Sequence, residues 1–238
     1  MLDPWIDLVH GGCCVSCAAP GHSLCRPCFA SLPRHARSVR PTPCPVGLAT
    51  CFAAGEYAGP LGALVVAHKE HAAFALARPL GHLLAVAAGP VSSAVQARGA
   101  TLVLVPVPSR PGVVRARGHD PMLRISRVAA GLLAASGTRA RVVRLLEQRF
   151  TVPDQAGLSS AGRATNLAGS MAVRPRARAA LAASGAAVSL VICDDVLTTG
   201  ATAREAQRAL EDSGLGVSGI ATVAATQRRF SARALPMS

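Results

Sequence analysis

Apolar and polar positions along the chain fall into two alternating periods. Over 61–69 and 75–88, apolar residues recur at three- and four-residue spacing among good helix formers, which predicts helices. Residues 101–105 make a short run suited to a strand, and 121–135 returns to helical spacing. A strand is predicted over 142–147. An Ala-rich helix is predicted over 177–187, with Gly185 as its stop. Residues 188–193 are almost wholly β-branched or apolar, as a strand buried on both faces must be. A helix follows over 202–213, ended by Gly214, and a last strand over 217–226. Strands separated by helices predict parallel pairing, hence an α/β fold with a sheet flanked by helices.

Composition adds detail. Hydrophobic residues make up 50% of the 238 positions and aromatics only 3%, so the core is built from Ala, Val and Leu. The formal net charge is +13, which favours polyanionic partners without choosing among them. Of the 25 basic residues, Lys69 is the sole lysine and the rest are arginine, a bias toward Arg and Ala across the whole chain. No run of 18 or more apolar residues is present, so no membrane span is expected. The start, Met-Leu-Asp-Pro-Trp-Ile-Asp, has neither the basic nor the apolar region of a secretory signal. A cytoplasmic, reducing location is therefore expected, where clustered cysteines suggest metal rather than disulfides.

Seven of the eight cysteines precede residue 52, and this asymmetry divides the chain. Residues 1–45 read as a Cys-rich, zinc-ribbon-like module and a linker, the latter marked by Pro41, Pro43 and Pro45 over 38–50. Residues 50–230 form the α/β domain, and 231–238 a flexible tail. Cys14-x-x-Cys17 and Cys25-x-x-Cys28 are two knuckles separated by seven residues. Four thiolates from two such hairpins close a tetrahedral structural Zn²⁺ site. Cys13 can replace Cys14 in this count. His10 and His22 are further candidate ligands that the site does not need. Cys44 and Cys51 are too far apart for a knuckle, and Cys193 belongs to the strand over 188–193.

The richest chemistry lies in Val-Ile-Cys-Asp-Asp-Val-Leu-Thr-Thr-Gly-Ala-Thr, 191–202. A hydrophobic strand delivers two acids to its carboxyl end, where open α/β sheets bind ligands. A Thr/Gly turn then opens a helix, whose exposed N–H groups and dipole suit a phosphate. Gly200 allows close approach of the backbone, and Thr198, Thr199 and Thr202 add hydroxyls. The segment lacks the Gly-Lys-Ser/Thr ending of a P-loop. Two carboxylates match the vicinal hydroxyls of a sugar, with Mg²⁺ bridging to phosphate oxygens.

This loop resembles the 5-phosphoribosyl pyrophosphate (PRPP) motif of type I phosphoribosyltransferases. The wider chain is similar to the ComF family, which includes bacterial competence proteins and GntX-like proteins. The likeness runs through the Cys-rich start, Tyr57-Ala-Gly-Pro-Leu-Gly to His68-Lys69, Val105-Pro-Val-Pro-Ser-Arg110, Arg115-Ala-Arg-Gly118, and Gln155-Ala-Gly-Leu-Ser159 with Arg163 and Asn166. It implies the type I phosphoribosyltransferase fold. Asp194 and Asp195 would hold the ribose hydroxyls, while Thr198, Thr199, Gly200, Ala201 and Thr202 would cradle the 5′-phosphate. Ser109 and Arg110 would meet the pyrophosphate, Arg110 as a multidentate donor, with Lys69 nearby. The stretches 115–118 and 155–166 would form a mobile cover. Where many relatives read Phe-Asn-Gln after Arg-Gly, this chain has His119-Asp120-Pro121.

As an enzyme, such a protein would let a nucleobase-like acceptor attack C1 of the phosphoribosyl group and displace pyrophosphate. Mg²⁺, Arg110 and Lys69 would stabilise the leaving group. No general base stands out in the sequence. The alternative is a non-catalytic protein that handles single-stranded DNA on the same scaffold. One Trp, one Tyr and five Phe leave little material for base stacking.

Overall fold

The computed structural model describes residues 12–71, 73–109, 112, 119–149 and 167–226. At its centre is a six-stranded sheet in the order β1-β2-β8-β7-β3-β4. Its strands are β1 (Arg37–Val39), β2 (Cys51–Glu56), β3 (Thr101–Pro106), β4 (Ala140–Val142), β7 (Val188–Leu197) and β8 (Val217–Ala225). All neighbours pair in parallel except β1, which runs antiparallel to β2 at the edge. Strands β5 (Leu146–Gln148) and β6 (Met171–Val173) form a separate antiparallel ribbon. The expected α/β architecture, a mostly parallel sheet flanked by helices, is therefore present.

Strand alternation explains the layering. Along β3, Leu102 and Leu104 join one buried cluster while Val103 and Val105 join the other. Along β7, Val191 and Cys193 face the first cluster, and Leu190 and Ile192 the second. Side chains of successive strand residues point to opposite faces, so a strand covered on both sides must be apolar throughout. The first face is covered by α2 (Gly59–Glu70), α3 (Ala77–Ala97) and α4 (Pro121–Ala135). The second is covered by α6 (Ala201–Glu211) and the shorter α5 (Pro175–Ala183). A short helix, α1 (Arg26–Ala30), lies in the Cys-rich module.

Helices α3 and α4 cross at Gly81. A Cβ there would stand 2.5 Å from the Val128 Cβ and 3.1 Å from the Ile125 carbonyl oxygen. Together with the 3₁₀ turn before it, α3 spans Phe74–Ala97 and has the length and mean hydropathy, 1.3, of a membrane span. It is the one such helix among the described residues. Leu80, Leu83, Leu84, Ala87 and Ala88 on it are buried against the sheet, as in a core helix.

Several elements depart from the sequence expectations. The helix expected over 75–88 continues through Gly89 and Pro90 to Ala97, with Pro90 on the exposed side. The strand expected over 142–147 is two short strands, because the chain leaves the sheet at Val143 and turns to pair with β6. The stretch 38–50 is no free linker. Its start is β1, and Val46, Gly47 and Ala49 are hydrogen-bonded to α6: Arg204 Nε donates to the Val46 carbonyl at 3.1 Å, Gln207 Nε2 to the Gly47 carbonyl at 2.8 Å, and the Ala49 N–H to Gln207 Oε1 at 2.8 Å. The expected tail, 231–238, lies outside the described residues.

Candidate functional sites at the carboxyl edge and in the cysteine module

Four parallel strands bring their carboxyl ends to one rim. Pro106 of β3 pairs with Cys193 of β7, and the next N–H, of Val107, donates to the Cys193 carbonyl at 2.9 Å. Asp194 pairs with Thr222 of β8. Tyr57, just beyond β2, donates its N–H to Ala225 at 2.8 Å. The rim thus holds the loop after β3 beside the acidic end of β7. Strand β7 runs four residues past Cys193, so both acids belong to the sheet rather than to a turn.

Helix α2 brings in the cation. Its first turns pack Leu61 against Gly55 of β2, and its end places Lys69 Nζ 2.8 Å from Asp195 Oδ2. Asp194 is half-buried, and its side chain accepts the Asp195 N–H at 2.9 Å. Burial first, and the adjacent charge of Asp195 second, push the Asp194 carboxyl up to about 8. Burial alone would lower Lys69, but the charges of Asp195, Asp194 and Glu70 outweigh it and hold the ammonium above the ordinary lysine value. Asp195 is thus balanced by Lys69, while Asp194 keeps a proton that a cation brought to the rim would displace.

The turn after β7 leads into α6. Thr198 is exposed and Thr199 half-buried, and Thr199 Oγ1 accepts the Ala201 N–H at 3.4 Å. Gly200 caps α6 with φ at 73°, in the left-handed region where glycine is favoured, and offers no side chain of its own to the helix N–H groups, one of which is taken by Thr199. Crowding adds to the requirement. A Cβ on Gly200 would lie 2.9 Å from Pro41, 3.1 Å from Leu48 and 3.3 Å from Pro45. The neighbour that demands glycine in this structure is the proline-rich strap. Ala201 is buried and Thr202 half-buried in the first turn of α6.

Ser109 lies in the loop after β3 and donates to Asp120 Oδ1 at 3.4 Å. Asp120 is the N-cap of α4, where the same oxygen accepts the Leu123 N–H at 3.2 Å. Arg144 Nη2 stands 4.0 Å from the other oxygen of Asp120. Arg110 and the stretches 115–118 and 155–166 lie outside the described residues. Asp120 is the residue that sequence reasoning passed over. Its signal was present: an Asp before a Pro that opens a helix is an N-cap signature.

The second site is the cysteine module. The thiols of Cys14, Cys17, Cys25 and Cys28 lie within 4.8 Å of one another, which selects Cys14 over the exposed Cys13. Cys17 and Cys25 Sγ are 3.6 Å apart, close to the roughly 3.8 Å edge of a tetrahedron with Zn–S bonds of about 2.3 Å. The knuckle is shaped by Ala18 at φ 60° and by the Ala18 N–H bonding to the Cys14 carbonyl at 2.8 Å. Burial raises the Cys14 thiol, but backbone N–H groups of Cys25, Cys17 and Ser16 outweigh it and bring it down to about 6. Cys17 and Cys25 are instead held above the ordinary thiol value. Backbone N–H groups of Ala19 and Cys28 respectively pull them down, but neighbouring thiols and burial more than offset this. Four convergent thiols thus accommodate one negative charge readily and more only with a cation among them. This donor set could hold a metal ion.

The remaining cysteines are quieter. Cys193 is fully buried and pushed up to about 12 by that burial. Cys51 is likewise raised to about 12, by burial and then by Cys44. No family model matches the chain, and no curated protein matches it.

Proposed function

We propose that the carboxyl rim binds PRPP with Mg²⁺ and that the chain is a phosphoribosyltransferase-like protein of the ComF family. The observation that carries this reading is the Asp194–Asp195 pair, near the end of a central parallel strand, followed by a Thr/Gly turn that leads into the amino end of α6. The two acids would meet ribose hydroxyls and Mg²⁺, and the turn 198–202 the 5′-phosphate. The loop ending at Ser109, on the neighbouring strand, would meet the pyrophosphate. Lys69 starts out paired with Asp195 and would exchange that carboxylate for phosphate oxygens when the ligand arrives. Mg²⁺ would supply charge neutralisation to the departing pyrophosphate. The reaction is transfer of the phosphoribosyl group to a nucleobase-like acceptor, with pyrophosphate release and a cytoplasmic setting.

The four-cysteine cluster would hold a structural Zn²⁺ ion, closed to exchange chemistry by its four protein ligands. Its role would be to fold a segment with almost no core of its own.

A second reading, a non-catalytic protein that handles single-stranded DNA, is favoured by one specific feature. Between Glu70 and Glu147 the only acid is Asp120, while the same stretch carries exposed Arg78, Arg98, Arg127, Arg139, Arg141 and Arg144. Equilibrium dialysis of labelled PRPP with Mg²⁺ against the full chain separates the two. PRPP retention that is lost in the Asp194→Ala/Asp195→Ala variant supports the first reading. No retention, together with salt-sensitive capture of a single-stranded oligonucleotide, supports the second.

A further inference from the structure

The segment His119-Asp120-Pro121 stands at a junction of three elements. Asp120 Oδ1 accepts both the Ser109 hydroxyl, 3.4 Å away in the loop after β3, and the Leu123 N–H, 3.2 Å away in the first turn of α4. Its Oδ2 faces Arg144, 4.0 Å away in the connection between β4 and β5. The side chain is only 11% exposed. The residue on either side is fixed as well. Pro121 occupies the first turn of α4, where its missing N–H costs nothing. The His119 ring packs edge-on to Phe74 at 4.5 Å and against His68 at 5.9 Å, and the Arg124 guanidinium covers Phe74 at 4.6 Å.

We infer that Asp120 is a positioning residue: it latches the loop ending at Ser109 to the amino end of α4 and so sets where that loop meets an anionic ligand. The inference rests on the reading of the rim as a PRPP site. Three features make it more than an ordinary helix cap. One carboxylate oxygen serves cap and loop together, so the helix end that fixes Asp120 also fixes the acceptor that Ser109 meets. Prolines at 106 and 108 cannot donate, and among the described residues of the loop Val107, bonded to Cys193, is the backbone donor that holds it to β7, so a side-chain anchor at Ser109 adds to its fixing. Finally, an unscreened carboxylate here would repel a pyrophosphate. Its charge is spent on the helix N-terminus, on Arg144 and on the Ser109 hydroxyl, which leaves the loop free to accept an anion.

The latch needs an acceptor oxygen rather than a charge, so Asp120→Asn preserves it and Asp120→Ala does not. Amide hydrogen exchange in the full chain tests the latch without any ligand. In Asp120→Ala, both the Leu123 amide and the Val107 amide of the loop are expected to exchange about tenfold faster, the scale of one lost cap bond. In Asp120→Asn both should stay within about threefold of wild type. Faster exchange at Leu123 alone would show a plain helix cap and overturn the inference. Titration with Mg·PRPP then reads the consequence. Asp120→Ala should weaken binding about tenfold, Asp120→Asn about twofold or less, and the Ser109→Ala/Asp120→Ala variant no more than the weaker of the two single variants. Additive losses in that double variant would also overturn it. A wild type that takes up no PRPP fails the reading of the rim, while the exchange result still decides the latch.

Discussion

Two clusters of ionisable groups, the four thiols and the Asp194–Asp195–Lys69 group, are built in opposite ways. Around the thiols, only Cys14 and Leu32 between residues 12 and 36 are buried apolar side chains. Hydrogen bonds of the knuckles, contacts of Val15 and Leu24 with the main core, Phe29 against His82 and Pro33 near Gly55 add to this support. Around the acids, the reverse holds. Leu190, Val191, Ile192 and Cys193, which precede them, are at most 2% exposed. In the module, a bound ion would make the structure. At the rim, the sheet makes the site and forces two carboxylates together regardless of any ligand. The difference teaches where to look for ligand-dependent folding and where for ligand-dependent protonation.

The contrast can be broken most forcefully at the thiols. Cys17→Ser, or removal of metal with a strong chelator, is expected to abolish order over 12–32, since comparable small modules owe about 10–16 kcal/mol of apparent stability to zinc. Hydrogen exchange should rise to unfolded rates there and stay slow in β7 and β8. Loss of protection in the sheet as well would show that the module and the sheet are one cooperative unit.

A smaller effect is expected at Gly200. Replacing it with Ala places a Cβ 2.9 Å from Pro41 in a left-handed backbone conformation. A loss of about 1–3 kcal/mol in chemical denaturation is expected. Only a minor part of it should be recovered by also changing Leu48 to Ala, since the left-handed backbone and the contact with Pro41 remain. Absence of any loss would mean that the strap does not bear on the turn.

A separate effect concerns pH. Asp194 ordinarily titrates near 3.8 and is raised in the fold to about 8, so the folded chain holds a proton that the unfolded chain has released. Stability contributed at this position is therefore full at acid pH and declines as pH rises through that window. Lys69, raised above its ordinary value, stays charged throughout it and does not compensate. Asp194→Asn should flatten the decline of stability between about pH 5 and pH 8. An unchanged slope would place the proton elsewhere.

Much of this was legible in the sequence for physical reasons. Strand β7 and helix α6 stood out because full burial on both faces leaves no polar residue in 190–193, and because glycine marks both ends of the helix. The knuckles were legible because four ligands from two hairpins require tight spacing. Strand β2 was not legible. Its Ala53, Ala54 and Gly55 have weak strand preference, and its place comes from pairing with β8 and β1. The prolines at 41, 43 and 45 read as punctuation, although two of them pack on Gly200. Helix α3 outran its expected end because Val91 and Val95, beyond the exposed Pro90, still bury their side chains in the core. At the rim, the acids and the turn were visible as local pattern. The pairing of Lys69 with Asp195 across 126 positions, and that of Ser109 with Asp120, were set by the tertiary fold.

The central claim is that the strained acid pair exists to receive PRPP with a cation. Calorimetric titration of Mg·PRPP into the full chain near pH 7, repeated in two buffers of different ionisation enthalpy, tests it most directly. The account predicts saturable binding whose heat differs between the buffers, because Asp194 gives up its proton as the ligand and Mg²⁺ settle on the rim. It also predicts loss of that signal in the Asp194→Ala/Asp195→Ala variant. No binding, or equal heats in wild type and variant, would contradict it.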